Sequence, residues 1–209
     1  MTDHRNTRIS SRKQPKQARS SDLVAAILEA AVQVLAKEGA QRFTTVRVAE
    51  KAGVSVGSLY QYFPNKAAIL FRLQSDEWGQ TTGMLRSILE DFQRPPPERL
   101  RILVHAFIRS ECDEAEMRVA LNDAAPLYRN APEAQEVRAM GDRIIQAFME
   151  EALPRASQAT RALAGDLIGT TLGKVGKHFS ESPRTPAEIA TYADAMADMF
   201  CAYLKSLDR

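Results

Sequence analysis

Apolar side chains recur along this chain at intervals of three and four, the spacing of one helical face, and the ten prolines lie between such runs rather than inside them. The first run is Leu23, Ile27, Ala31, Val34 and Leu35, predicted to start after a cap at Ser20–Ser21 and to stop at Gly39. Two short helices should follow, from about Val46 to Ala52 behind Thr44 or Thr45, and from Val56 to Tyr62 behind Ser55. A long helix then runs from Lys66 to about Arg94, with Gly79 and Gly83 placed to bend it. The prolines at 95–97 open the next, to about Cys112, and a shorter one covers Met117 to Ala124. Three longer helices are expected over Glu133–Leu153, Gln158–Phe179 and Pro186–Leu207. No segment alternates with period two between hairpin turns, so the fold class is all-α, with about nine helices.

With 209 residues and 44% apolar side chains, the chain is long enough for one or two packed domains. No apolar stretch approaches the ~18 residues of a membrane span, so no membrane partner is expected. The N-terminal segment is polar and basic, without the apolar core of a secretory signal. Cys112 and Cys201 form no metal pair and no disulfide framework, which points to a reducing cytoplasm. The net charge of +2 conceals an asymmetry: residues 1–75 sum to +7 and the remainder to −5. A basic front on an acidic body suits a polyanionic partner for the front alone.

Residues 44–70, TTVRVAEKAGVSVGSLYQYFPNKAAIL, give that charge a context. Two short helices crossing tightly need a small residue at the crossing, supplied by Ala49, and a residue tolerant of positive φ at the turn, supplied by Gly53. Val48, Ala52, Val54, Leu59 and either Tyr62 or Phe63 are spaced as anchors beneath them. The other face of the second helix is small and polar (Ser55, Gly57, Ser58, Gln61), with Tyr60 projecting. Small residues let a helix approach base edges in the major groove, where hydroxyl, amide and phenol groups form hydrogen bonds. A plain helical hairpin would need neither the two glycines, nor the polar second helix, nor the basic arm.

This stretch closely resembles the DNA-binding domain of the TetR family of bacterial transcriptional regulators, over about residues 21–70. The resemblance implies a phosphate contact for Thr45, with Arg47 close by, and a recognition surface made of Ser55, Val56, Gly57, Ser58, Tyr60 and Gln61. It also implies that Tyr62 touches a phosphate while packing inward, and that Lys66 clamps another at the start of the fourth helix. A lysine at a helix N-terminus is an anion site on physical grounds as well. The recognition helix has no Arg, Lys or Asn, so base reading leans on Gln61, apolar contacts and DNA shape. The expected organisation is a disordered basic arm over 1–20, a helix-turn-helix domain over 21–67, and a helical domain over 68–209 that binds a small molecule and dimerises.

Past residue 75 the resemblance is one of architecture. Trp78, Phe107, Met117, Tyr128, Met140 and Phe148, with Phe92 and Met149, are candidates to line an apolar pocket, against the plainer alternative of core packing. Gly165, Gly169, Gly173 and Gly176 recur every three or four residues on one helix, and Ala193 and Ala197 share a face of the next. Each such glycine costs roughly 0.8–1 kcal/mol relative to alanine, so close helix approach must compensate. The resemblance favours a homodimer interface there; tight packing within one subunit is the alternative. His105 falls on a polar stripe with Arg101 and Arg109, read as solvated, and His178 lies near a helix end. Three histidines, no phosphate-cradling loop, no nucleophile elbow and no HExxH motif argue against an enzyme, and no cofactor or metal is expected. The implied function is a ligand-responsive regulator, most simply a repressor, bound as a homodimer to a near-palindromic duplex operator and released by a small-molecule effector. The alternatives are an activator and a helical nucleic-acid-binding protein that senses no ligand.

The arm carries six basic residues, and each phosphate neutralised adds about −0.9 to the slope of log K against log salt. If two charges per subunit engage DNA, a chain beginning at Ser20 should lose roughly 3 to 4 from that slope as a dimer. Fluorescence anisotropy of both proteins across a salt series measures this; equal slopes would make the arm a solvated tail.

Overall fold

The computed structural model describes residues 18–128 and 132–208, and among them it contains nine α-helices, one 3-10 turn and no strand. The helices are α1 (Ala18–Arg42), α2 (Thr45–Ala52), α3 (Val56–Tyr62), α4 (Lys66–Leu89), α5 (Pro96–Asp113), α6 (Ala115–Ala124), α7 (Pro132–Ala152), α8 (Gln158–Ser180) and α9 (Pro186–Leu207), with the 3-10 turn at Ala125–Leu127. Most of the N-terminal arm, residues 1–17, lies outside the described residues.

Local chemistry sets most of the boundaries. Thr44, Ser55 and Ser157 cap α2, α3 and α8 by accepting a backbone N–H with their hydroxyls. Thr185 and Glu188 form a reciprocal capping box at α9. Gly39 takes φ 72°, breaking the helical path of α1 three residues before it ends, and Gly53 takes φ 67° to cap α2. Helix α1 is already formed at Ala18, ahead of the expected cap at Ser20–Ser21. Helix α4 runs through Gly79 and Gly83, neither of which has a positive φ, and ends five residues earlier than expected. There Asp91 accepts the Gln93 N–H (3.3 Å) and the Arg94 side chain (3.0 Å), turning the chain into Pro95.

The chain divides into two compact units. Among the described residues the first comprises 18–78, 116–128 and 132–137, and the second 79–115 and 138–208. The first therefore extends past the expected boundary at residue 67 and takes in α6. The reason is packing: Leu121, Ala124 and Tyr128 are buried in the same cluster as Ile27, Leu35, Phe43, Leu59 and Phe71. A half-buried polar chain accompanies them. Arg118 pairs with Glu77 (3.1 Å), Gln74 donates to Glu77 (2.8 Å), and the Tyr128 hydroxyl donates to the Leu121 carbonyl (2.9 Å).

In the second unit α5 is central, packed along α9 and α8. The Arg101–His105–Arg109 stripe, read as solvated, is in part an interhelix seam. Arg101 pairs with Asp198 and His105 Nε2 lies 3.0 Å from Asp194, so both side chains meet carboxylates along the α5–α9 edge. The glycine ridge divides. A methyl group at Gly165 would meet Ile145 at 3.1 Å, and one at Gly176 would meet Ile108 at 3.2 Å and Phe107 and Glu111 at 3.3 Å, whereas Gly169 and Gly173 face open space. Ala193 and Ala197 have no exposed surface. Gly165, Gly176, Ala193 and Ala197 are thus covered by this chain's own helices, which corrects their assignment to a dimer interface.

Arg99 is the largest fully buried side chain of this unit. Its guanidinium donates to the Leu89 carbonyl at the end of α4 and to Glu151 on α7, and lies 5.4 Å and 5.5 Å from the ring centres of Phe92 and Phe148. Glu151 is 41% exposed, so water solvates it if the arginine is lost, while the Leu89 carbonyl has no such recourse. Arg99→Met should therefore lower the unfolding free energy by about 2 kcal/mol. Glu151→Gln removes the counter-charge of a wholly buried guanidinium and should lower it by more, about 3 kcal/mol. Urea denaturation of both variants checks the contrast.

Candidate nucleic-acid interface

The first unit presents a helix-turn-helix whose turn is determined by Gly53. In the left-handed conformation its N–H bonds the Glu50 carbonyl (3.2 Å), and the next N–H, of Val54, bonds the Ala49 carbonyl (3.0 Å). Ala49, buried at the crossing, leaves room for α3 to approach α2. Helix α3 is attached by Leu59 and Tyr62, and Phe63 follows at its C-terminus, all three buried. Both aromatic residues are anchors, where the spacing alone left a choice between them. Phe43, wholly buried just before α2, is an anchor that helical periodicity does not reveal, because it lies between helices.

What α3 does not bury faces outward. Ser55, Gly57, Tyr60 and Gln61 are exposed and Val56 and Ser58 half-buried. The Ser55 hydroxyl caps the helix, accepting the Ser58 N–H at 3.0 Å, and lies 2.8 Å from the Ser58 hydroxyl. Tyr60 is held across the motif, its hydroxyl 3.1 Å from the Thr45 hydroxyl on α2. Thr45 is therefore largely buried and engaged with a neighbour, rather than standing free at the helix start. Arg47 pairs with Glu38 and donates to the Arg42 carbonyl (3.0 Å). Tyr62 is only 6% exposed, so the structure emphasises its packing role over a phosphate contact. Lys66 is exposed in the first turn of α4, where Asn65 caps the helix by accepting the Ala68 N–H (2.9 Å). One edge of the unit thus collects hydroxyl, amide and phenol groups with a lysine at a helix N-terminus, the donors suited to phosphates and base edges.

The residues expected to line a pocket divide between the two units. Trp78, Met117 and Tyr128 pack into the core of the first unit, Phe148 is core in the second, and Met140 is 42% exposed. Of the six, Phe107 lines a cleft of about 520 Å³ in the second unit, bounded by the last turns of α4, the middle of α5 and the helices α7 and α8. Its wall is made by Leu85, Leu103, Phe107, Ile145, Ile168 and Leu172, and its rim includes Asp142, Gln146, Arg161, Asp166 and Gly169. Burial pushes the thiols of Cys112 and Cys201 above their ordinary pKa, keeping both in the less reactive protonated form. Among the described residues no cluster of His, Cys, Asp and Glu could hold a metal ion, and no helix is long and apolar enough to cross a membrane.

Comparison with known proteins agrees with this layout. Residues 27–73 match the family model described as bacterial regulatory proteins, tetR family, and residues 95–207 that of the tetracyclin repressor-like C-terminal domain. The nucleoid occlusion factor SlmA of Haemophilus ducreyi is 30% identical over 179 residues, spanning 75% of this chain and 83% of that protein. Among solved structures, the fatty acid degradation regulator FadR from Bacillus halodurans superposes with a TM-score of 0.68 at 21% identity, over 90% of this chain and 97% of that one. FadR from Bacillus subtilis in complex with stearoyl-CoA gives a TM-score of 0.68 at 16% identity, over 85% and 97%.

Gly57 has helical backbone angles, and a methyl group there would meet only the Ser55 hydroxyl, at 3.8 Å. Nothing inside the chain requires a glycine at this position. Gly57→Ala should raise stability by roughly 0.5–1 kcal/mol. On an interface that needs close approach it should also weaken DNA binding; thermal melts and anisotropy on one preparation measure the opposed effects.

Proposed function

The chain belongs to the TetR family, and on that premise we propose that it is a homodimeric transcriptional repressor that binds a near-palindromic operator and is released by a small molecule occupying the cleft of its second unit. The observation that carries the reading is the outward face of α3: exposed, polar, held by Tyr60–Thr45, and including a glycine with no internal reason to be one. Ser55, Val56, Gly57, Ser58, Tyr60 and Gln61 face the bases and nearby phosphates, and Lys66, with Thr45 and Arg47 beside it, faces phosphate. Arg47 then exchanges its partner Glu38 for a phosphate on binding. A single seven-residue helix spans few base pairs, so two copies related by a dyad read two half-sites.

The dimer surface shifts from the one expected. Leu163 and Leu167, one turn apart on α8, are 62% and 47% exposed, and Met199 on α9 is 51% exposed. With the open Gly173 and the exposed Ala195 they offer an apolar, low-relief face for a second copy. Gly169 then belongs to the cleft rim.

A second reading, a DNA-binding protein that responds to no ligand, draws support from the similarity to a nucleoid occlusion factor. The cleft supports the first. Selection of bound fragments from the source genome should enrich one near-palindromic sequence, from which fractions of a small-molecule extract release the protein. Gly169→Phe, which fills the cleft from a position with open space, should abolish that release, with the melting temperature as the control for folding. Binding that no fraction disturbs would favour the second reading.

A further inference from the structure

The lining of the cleft carries charge as well as apolar surface, and its sign bears on what enters. This inference rests on the ligand-responsive reading above. Asp142 on α7 and Asp166 on α8 stand at the rim, both exposed, and neither is ion-paired among the described residues. The only basic residue of the lining, Arg161, is committed elsewhere. Its Nε donates to the Leu153 carbonyl (2.9 Å) and its Nη2 to the Pro154 carbonyl (2.6 Å), so its positive charge answers the carbonyl-rich C-terminus of α7. Two carboxylates and one occupied guanidinium give the lining a charge of −1. The remaining wall is aliphatic except for Phe107, whose ring face attracts a cation at close range.

We propose that the cleft of the second unit takes a lipophilic organic cation, an aromatic or aliphatic body bearing one delocalised or quaternary positive charge. The apolar wall buries the body, and Asp142 and Asp166, with the ring of Phe107, hold the charge. A long-chain acyl thioester or fatty acid would instead bring its phosphates or carboxylate against two carboxylates, with the one guanidinium already bonded to main chain. The binding of stearoyl-CoA by a protein of similar fold therefore does not carry over to this lining.

Tetraphenylphosphonium and tetraphenylborate, nearly equal in size and opposite in charge, separate the possibilities, with triphenylmethanol as the neutral arm. Isothermal titration of the full-length dimer should show tetraphenylphosphonium binding at least tenfold more tightly than either other compound. The double variant Asp142→Asn, Asp166→Asn should lose at least fivefold for the phosphonium and less than twofold for the alcohol. Melting temperatures verify that the variant is folded. Equal affinities, tighter binding of the borate, or binding of none of the three would overturn the inference. An anionic effector that releases the operator from the natural protein but not from Gly169→Phe would also overturn it, while leaving the regulator reading intact. Failure of every effector to release the operator would count against that reading instead.

Discussion

Helix α3 is seven residues long, and its attachment to the molecule rests on Leu59 and Tyr62, one turn apart and both buried. A helix this short has no stability of its own in water, so tertiary burial of that pair is what makes it a helix. Two further constraints orient it. The left-handed Gly53 sets the turn from α2, and the Thr45–Tyr60 hydrogen bond ties the recognition face back to the helix before it. With the inward face occupied, Ser55, Gly57 and Gln61 have only the outside to face. The outward face of α3 thus depends on a small hydrophobic core behind it.

That arrangement was largely legible in the sequence because its signals are local. Caps at Thr44 and Ser55, a glycine at the turn and anchors at helical spacing are each readable within a few residues, and α2 and α3 lie where those signals put them. What escaped depends on distant partners. Periodicity cannot say that Leu121 and Tyr128 join the core of the first unit, some fifty residues or more after the segments they cover. Nor can it say which of two adjacent aromatic residues, Tyr62 and Phe63, is buried, when the chain leaves the helix between them and buries both.

The second unit shows the same limit more sharply. A glycine repeat at helical spacing announces close approach but not to what. Here Gly165 admits α7 and Gly176 admits α5, while Gly169 and Gly173 remain open. One stripe therefore does three things: it packs the subunit, borders a cleft and leaves low relief on an outer face. The aromatic and methionine residues were weaker guides to a pocket, because most of them, Phe148 and Tyr128 among them, fill the cores. The cleft walls are instead ordinary leucines and isoleucines, which carry no distinctive signal until the helices are assembled.

On the proposed reading, the outward face of α3 and the start of α4 form the DNA-reading surface. Amide hydrogen exchange of the full-length protein, with and without the duplex selected from its genome, tests it most directly. Exchange should slow across residues 55–66, with little change on the exposed face of α9. Unchanged exchange through α3, with the DNA-dependent protection falling in the second unit instead, would contradict it.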